Sequence, residues 1–107
     1  MCDQVFAYGI DTFSRIEKGE IEYFASELEK IESLPGVYKD CANYFSSVPN
    51  FGVNLFGVET KLLFLIDSYG AQLQSGGAIH DTKTIKVFSE EIKISLVWAR
   101  RQLSEFE

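Results

Sequence analysis

Few residues of this chain have side chains suited to catalysis, and their spacing does not assemble a catalytic group. The single histidine, His80, has Asp81 beside it. Ser68 or Ser75 could be paired with His80, but neither stands in a nucleophile elbow or beside glycines that would form an oxyanion hole. The glycines at 76 and 77 lack the lysine and hydroxyl residue of a phosphate-binding loop. The sequence therefore predicts that the protein is not an enzyme, and places His80 at the surface of a loop.

A metal or cofactor site is not expected either. Cys2, Cys41 and His80 are spread along the chain without the short spacings of a zinc site, and the carboxylates show no calcium-loop pattern. Cys2 stands at a terminus expected to fray and Cys41 inside an apolar helical pattern, so both are predicted to be free thiols of a reducing compartment. No basic leader with an apolar core opens the sequence, so we expect a cytoplasmic protein.

The charge of the chain is acidic and unevenly distributed. The formal net charge is −6; residues 1–50 contain nine acids and four bases, a balance of −5, and residues 51–107 contain seven acids and six bases, a balance of −1. An acidic surface repels phosphate backbones and attracts cationic proteins, so we expect a basic protein partner and no direct binding to nucleic acid. The alternative is a solvated acidic surface that only aids solubility.

Residues 55–73 are the most apolar stretch of the chain. At 3.6 residues per turn they predict a helix that is apolar on two faces and therefore needs two neighbours. It is expected to run to about Gln74 and to end at the Ser-Gly-Gly of residues 75–77. It is too short and too often interrupted by charged residues to predict a membrane span. The main stripe consists of Leu55, Val58, Leu62, Leu65, Ile66, Tyr69 and Leu73, and Phe56, Leu63 and Phe64 project from the opposite side.

Shorter segments precede this central helix. Residues 1–10 are too apolar for a free tail and are expected to lie on the bundle as a short strand or as the lead-in to a helix. Asp11 or Thr12 is a suitable N-cap for a short helix that stops or kinks at Gly19. The spacing of apolar residues then predicts a helix over 21–34, ended by Pro35, and a shorter helix over 37–47.

Residues 82–103 fit two structures. Ile85, Phe88, Ile92, Leu96 and later residues form a helical stripe, but 92–98 also alternate with the period of a strand. Strong helix formers and two arginines near the end favour a helix. We therefore predict an all-α, compact four- to five-helix bundle in a single domain, 1–107, with an α+β fold containing a small hairpin in 83–98 as the alternative.

Acidic and aromatic residues on the predicted helices of the first half are candidates for partner binding. The acids would form a negative surface for a basic partner, and the aromatics would be anchors inside a charged ring. The alternatives are a solvated face with weak ion pairs, and aromatics that pack on the N-terminal segment or on a second copy of the chain. The candidates are Glu20, Glu22, Tyr23, Glu27, Glu29, Asp40 and Tyr44.

Several positions resemble the small immunity proteins of the colicin and contact-dependent growth inhibition type. The pattern Phe13…Gly19-Glu20-Ile21…Phe24…Leu28 looks like their opening helices, and Leu63…Asp67…Tyr69, Glu90-Glu91 and a closing Leu96…Leu103 helix are similar in order and spacing. The resemblance implies a cytoplasmic helical protein that neutralises a nuclease toxin by covering its basic substrate cleft, as bacteriocin immunity proteins do. It would be a monomer or weak dimer without contact to membranes. The alternative is a self-associating structural or regulatory helical protein without a toxin partner.

Overall fold

The computed structural model describes residues 1–106, which form five helices and no strand, so the predicted all-α bundle is confirmed. Apolar residues at helical spacing account for the four longer helices, because each of these buries one stripe of them, and the short α2 buries Phe24. The helices are α1 (Cys2–Glu17), α2 (Ile21–Ser26), α3 (Leu28–Tyr44), α4 (Phe51–Gln74) and α5 (Thr82–Phe106).

The bundle is elongated, measuring 43 × 22 × 20 Å. Helix α1 packs mainly on α5, α3 on α4, and α4 also on α5, so the order around the core is α1, α5, α4, α3. Every helix contributes fully buried aromatic or aliphatic side chains, among them Phe6, Phe13, Phe24, Ile31, Leu55, Leu62, Leu65, Ile85, Ile92 and Leu96. None of the helices in the described part of the chain has an apolar run long enough to cross a membrane.

The N-terminal residues form one continuous helix. Helix α1 begins at Cys2 and passes through Asp11 and Thr12, so the prediction that one of these caps a new helix is wrong. The reason is that Phe6, Phe13 and Ile16 belong to a single buried stripe, which includes Gly9 at its closest approach to α3 and α5. The predicted stop at Gly19 is confirmed, and its φ of 99° is one that glycine adopts readily.

Helices α2 and α3 differ from their predicted bounds. The predicted helix over 21–34 breaks at Glu27, and the following helix continues through Pro35 to Tyr44. A proline inside a helix costs about 3 kcal/mol or more. Leu34, Tyr38 and Cys41 are all buried on the continued helix, and each large apolar side chain contributes about 1.5–3 kcal/mol on burial. The free energy gained by burying these side chains therefore exceeds the cost of placing a proline inside the helix.

The predicted central helix is confirmed as α4, which ends next to Gly76 with a φ of 74°. Its main stripe is buried as expected, apart from the half-buried Ile66. Helix α4 has the two neighbours that were expected, α3 and α5, but its second face is not covered, since Phe56, Leu63 and Phe64 are exposed. Phe51, at the first position of α4, fills the core between Phe6, Phe45 and Trp98.

The last segment is a helix, so the hairpin alternative over 83–98 is wrong. Asp81 stands just before α5 and accepts hydrogen bonds from the Thr84 amide at 3.3 Å and the Thr84 hydroxyl at 3.0 Å. Those bonds lower the pKa of the Asp81 carboxyl. Two ion pairs join α5 to α1, Arg100 with Asp3 at 2.8 Å and Lys93 with Glu17.

Candidate protein-binding surface

The candidate binding residues lie on two helices and their junctions rather than along one helix. Glu20 is the residue before α2, Glu22 and Tyr23 lie on α2, and Glu27 is the single residue between α2 and α3. Glu29, Asp40 and Tyr44 lie on α3. The predicted helix over 21–34 would have carried Glu22, Glu27 and Glu29 together, but the break at Glu27 places Glu22 and Glu29 on separate helices.

Glu20 is engaged within the molecule. Its Oε1 accepts hydrogen bonds from Nη2 and Nε of Arg15 at 2.9 and 3.2 Å. The Arg15 guanidinium also lies 3.7 Å from the centre of the Tyr23 ring, a cation–π contact. The hydrogen bond to Glu20 raises the pKa of Arg15 further above its ordinary value. Glu20 and Tyr23 thus hold a cation of the chain itself, and Glu20 contributes little negative potential to a partner.

Glu27 has a structural contact as well. It is half-buried, and its Oε1 accepts a hydrogen bond from the Tyr8 hydroxyl of α1 at 2.9 Å. Burial, and then this bond to a carboxylate, raises the pKa of Tyr8 to about 12. The bond connects α1 to the junction of α2 and α3, so Glu27 positions these helices relative to each other.

The remaining candidate acids are exposed. Glu29 and Asp40 are eleven residues apart, close to three full turns, so they lie on the same outer face of α3, about 16 Å apart. Glu22 is exposed on α2. None of the three forms an ion pair with any residue between 1 and 106. We give the name acidic face to Glu29, Asp40 and Tyr44 on the outer side of α3 together with Glu22 on the neighbouring α2.

Tyr44 lies one turn beyond Asp40 and is 80% exposed, with its ring against the edge of Phe45 at 4.8 Å. The Tyr44 and Phe45 side chains border a surface depression of about 620 Å³. Its other walls are mostly apolar and include the start of α1. The lining residues are Met1, Cys2, Val37, Asp40, Cys41, Tyr44 and Phe45. A carboxylate beside an exposed aromatic ring suits a cationic side chain of a partner.

The depression also contains a disulfide, so the prediction of two free thiols is wrong. Cys2 is bonded to Cys41, with their Cα atoms 6.0 Å apart. The prediction failed because Cys2 is the first residue of α1 rather than part of a frayed end, and α1 carries it to the buried Cys41. The bridge ties the start of α1 to the last turn of α3, next to Asp40 and Tyr44.

A second surface has the opposite character and was not identified from the sequence as exposed. Seven large apolar side chains of α4 and α5 face solvent, although each has a charged or amide residue next to it in sequence or one turn away. The sequence pattern identified Phe56, Leu63 and Phe64 as a second face of the central helix, and the same search on the last helix would have found the residues of α5. The seven are Val53, Phe56, Leu63 and Phe64 of α4, and Val87, Ile94 and Val97 of α5.

His80 is exposed in the connection between α4 and α5, as predicted, and Asp67 is exposed on α4. Among the described residues there is no group of three or more His, Cys, Asp or Glu side chains placed to hold a metal ion. Comparisons with protein families, with curated proteins and with solved structures find no match to this chain.

Proposed function

We propose that this protein binds and inhibits a basic nuclease toxin, and that the acidic face covers the toxin's substrate-binding surface. The observation that carries the proposal is the set of exposed carboxylates at Glu22, Glu29 and Asp40, which form no ion pair with the described part of the chain. A nuclease needs a cationic surface to bind its phosphate backbone, and that surface attracts such carboxylates.

The distribution of ion pairs concentrates negative charge on α2 and α3. Residues 20–44 contain six acids and two bases, a balance of −4. Two of the acids of α1, Asp3 and Glu17, are paired with bases of α5. Lys93 and Arg100 of α5 are thus directed towards α1. Residues 20–44 retain a net charge of −3 once Glu20 is counted with Arg15, and this charge would accelerate encounter with a cationic protein.

Tyr44 supplies the aromatic anchor of the proposed interface. Binding energy at protein interfaces is concentrated in a few residues, often tyrosine, tryptophan or arginine, inside a polar ring. Tyr44 is exposed and has Asp40 one turn away. A lysine or arginine from the rim of a nuclease cleft would contact both the ring and the carboxylate.

The proposed place of action is the cytoplasm, where the toxin would reach its nucleic acid. Glutathione and thioredoxin keep thiols reduced there, so the Cys2–Cys41 bond would open. The inhibitor then has to retain its fold through helix packing alone, a requirement that thermal unfolding of the reduced protein measures directly.

We expect the reading frame directly upstream to encode a nuclease domain, which then serves as the probe. Co-expression should rescue growth, and the purified protein should block cleavage of a labelled RNA or DNA. In surface plasmon resonance at several salt concentrations, the double variant Glu22→Lys, Glu29→Lys should slow association about tenfold and flatten its salt dependence. The double variant Asp11→Lys, Glu105→Lys changes the net charge by the same amount at two exposed acids outside the acidic face and serves as the matched control. Equal association rates for the acidic-face variant and the control would refute the assignment of the acidic face.

A further inference from the structure

Helix α5 carries a second apolar stripe that points away from the bundle. Its members follow one another at intervals of three, four, three and four residues, the spacing of a coiled-coil contact. The three apolar members are 43%, 57% and 37% exposed, and both charged members are exposed and form no ion pair within residues 1–106. We call this set the outer stripe of α5: Val87, Glu90, Ile94, Val97 and Arg101.

Helix α4 has an outer stripe with the same spacing: Val53, Phe56, Thr60, Leu63 and Asp67. Its apolar members are 78%, 67% and 46% exposed. The two helices are antiparallel neighbours, because later residues of α4 contact earlier residues of α5. These contacts are Asn54 with the Ser95 carbonyl at 3.0 Å, Lys61 with Glu91 at 3.6 Å, and the rings of Phe64 and Phe88 at 5.0 Å.

The outer stripe of α5 offers a small interface. Helix α5 has 25 residues and is about 37 Å long. At about 10 Å wide it covers roughly 370 Å², about half of the 800 Å² that a standard interface buries on each partner, so a reversible dimer is expected. Exposed apolar side chains on α4 and α5 give the face formed by these two helices more apolar surface than the singly scattered apolar residues of an ordinary monomer.

We propose that the occupant of this face is a second copy of the chain, with α5 packed antiparallel against α5. The outer stripe of α5 is complementary to its own reverse. Turning it about the midpoint between Ile94 and Val97 places Ile94 against Val97 of the second copy and Glu90 against Arg101 of the second copy. Two-fold symmetry repeats each contact. The same turn places Val87 near Ser104, which is small enough to accommodate it.

Charge favours a second copy over a strongly acidic or basic partner. The outer stripe of α5 contains one acid and one base and is therefore neutral. The acidic face, by contrast, would repel its own copy. This inference does not depend on the proposed toxin partner, because it concerns different helices and different residues.

The test is sedimentation velocity over a wide concentration range, with circular dichroism to confirm that each variant is folded. The wild type should dimerise reversibly. Glu90→Arg and Arg101→Glu should each weaken the dimer about tenfold, because each places like charges opposite each other twice. The two changes together should restore it, and Ile94→Asp should abolish it.

Glu32→Arg, an exposed reversal on α3, is the matched control and should leave the dimer unchanged. A wild type that stays monomeric at all concentrations would overturn the proposal. A dimer that responds to the single reversals no more than to the control, or that is not restored by the double reversal, would overturn it as well. The variants of α5 do not alter the acidic face, so failure of the dimer is distinct from failure of toxin binding.

Discussion

Reduction of the Cys2–Cys41 bond is expected to remove a large part of the stability of this fold. The bridge joins residues 39 positions apart. For a loop of that length, the chain-entropy relation gives a loss of about 4 kcal/mol when the constraint on the unfolded chain is removed. A domain of this size is stable by roughly 5–15 kcal/mol. The reduced protein should therefore remain folded with a small margin.

The structure indicates why reduction should not unfold the protein outright. Phe6, Phe13 and Ile16 of α1 are fully buried without involving either sulfur atom. The Asp3–Arg100 and Glu17–Lys93 pairs hold both ends of α1 to α5. The start of α1 and the last turn of α3 should loosen first, because the bridge is what joins them.

Thermal unfolding by circular dichroism, with and without a phosphine reductant, measures the effect. With an unfolding entropy of about 2.1 cal/mol/K per residue, a loss of 4 kcal/mol lowers the Tm by about 15–20 °C. The urea m-value should rise, because the reduced unfolded chain exposes more surface. The Cys2→Ser, Cys41→Ser double variant is the control and should not respond to reductant. A Tm that falls by less than about 3 °C on reduction would refute the reasoning, and two titratable thiols in the oxidised folded protein would show that the bridge is absent.

Two further predictions concern helix packing and pH. Gly9→Ala should lower the free energy of unfolding by about 1–3 kcal/mol, because its Cβ would collide with the Tyr38 hydroxyl and the Leu96 side chain. Gly36→Ala, with open space at the same atom, should raise it by about 0.5–1 kcal/mol; urea titrations that showed equal changes would contradict this account of Gly9. The pKa of Tyr8 is raised from 10.0 to about 12 in the fold, so its contribution to stability is complete below pH 10 and is lost as the pH rises towards 12. The stability difference between the wild type and Tyr8→Phe should shrink over that range, and a constant difference would refute the role given to burial and Glu27.

The helices were predictable wherever one buried stripe decided the structure. The spacing of Leu55, Leu62 and Leu65 predicted α4, and the residues around Ile92 predicted α5. Local sequence signals failed to predict helix boundaries that are decided by contacts between residues distant in sequence. Pro35 did not end a helix, because the residues before and after it, Leu34 and Tyr38, are both buried in the core. At the break, Glu27 accepts a hydrogen bond from Tyr8, 19 residues earlier.

The sequence predicts which residue types form the candidate site, but not which of its acids are free to bind a partner. The sequence places acids on the first helices, and the exposed Glu22, Glu29 and Asp40 agree with that. Whether an acid is available depends on what folds against it. Arg15 neutralises Glu20 across the turn at Gly19, a contact that helical spacing does not predict. The disulfide was likewise hidden, because neither cysteine has a local partner.

The pairing of α1 with α5 has a consequence for synthesis on the ribosome. Helix α1 is made before α5, on which it finds its largest contact surface. The 64 residues between them take roughly 3–13 s to be made at about 5–20 residues per second. During that interval Phe6, Phe13 and Ile16 have no α5 to cover them. Nascent chains therefore pass through a stage at which chaperone capture of α1 competes with native assembly, and α5 ends that stage when it leaves the exit tunnel.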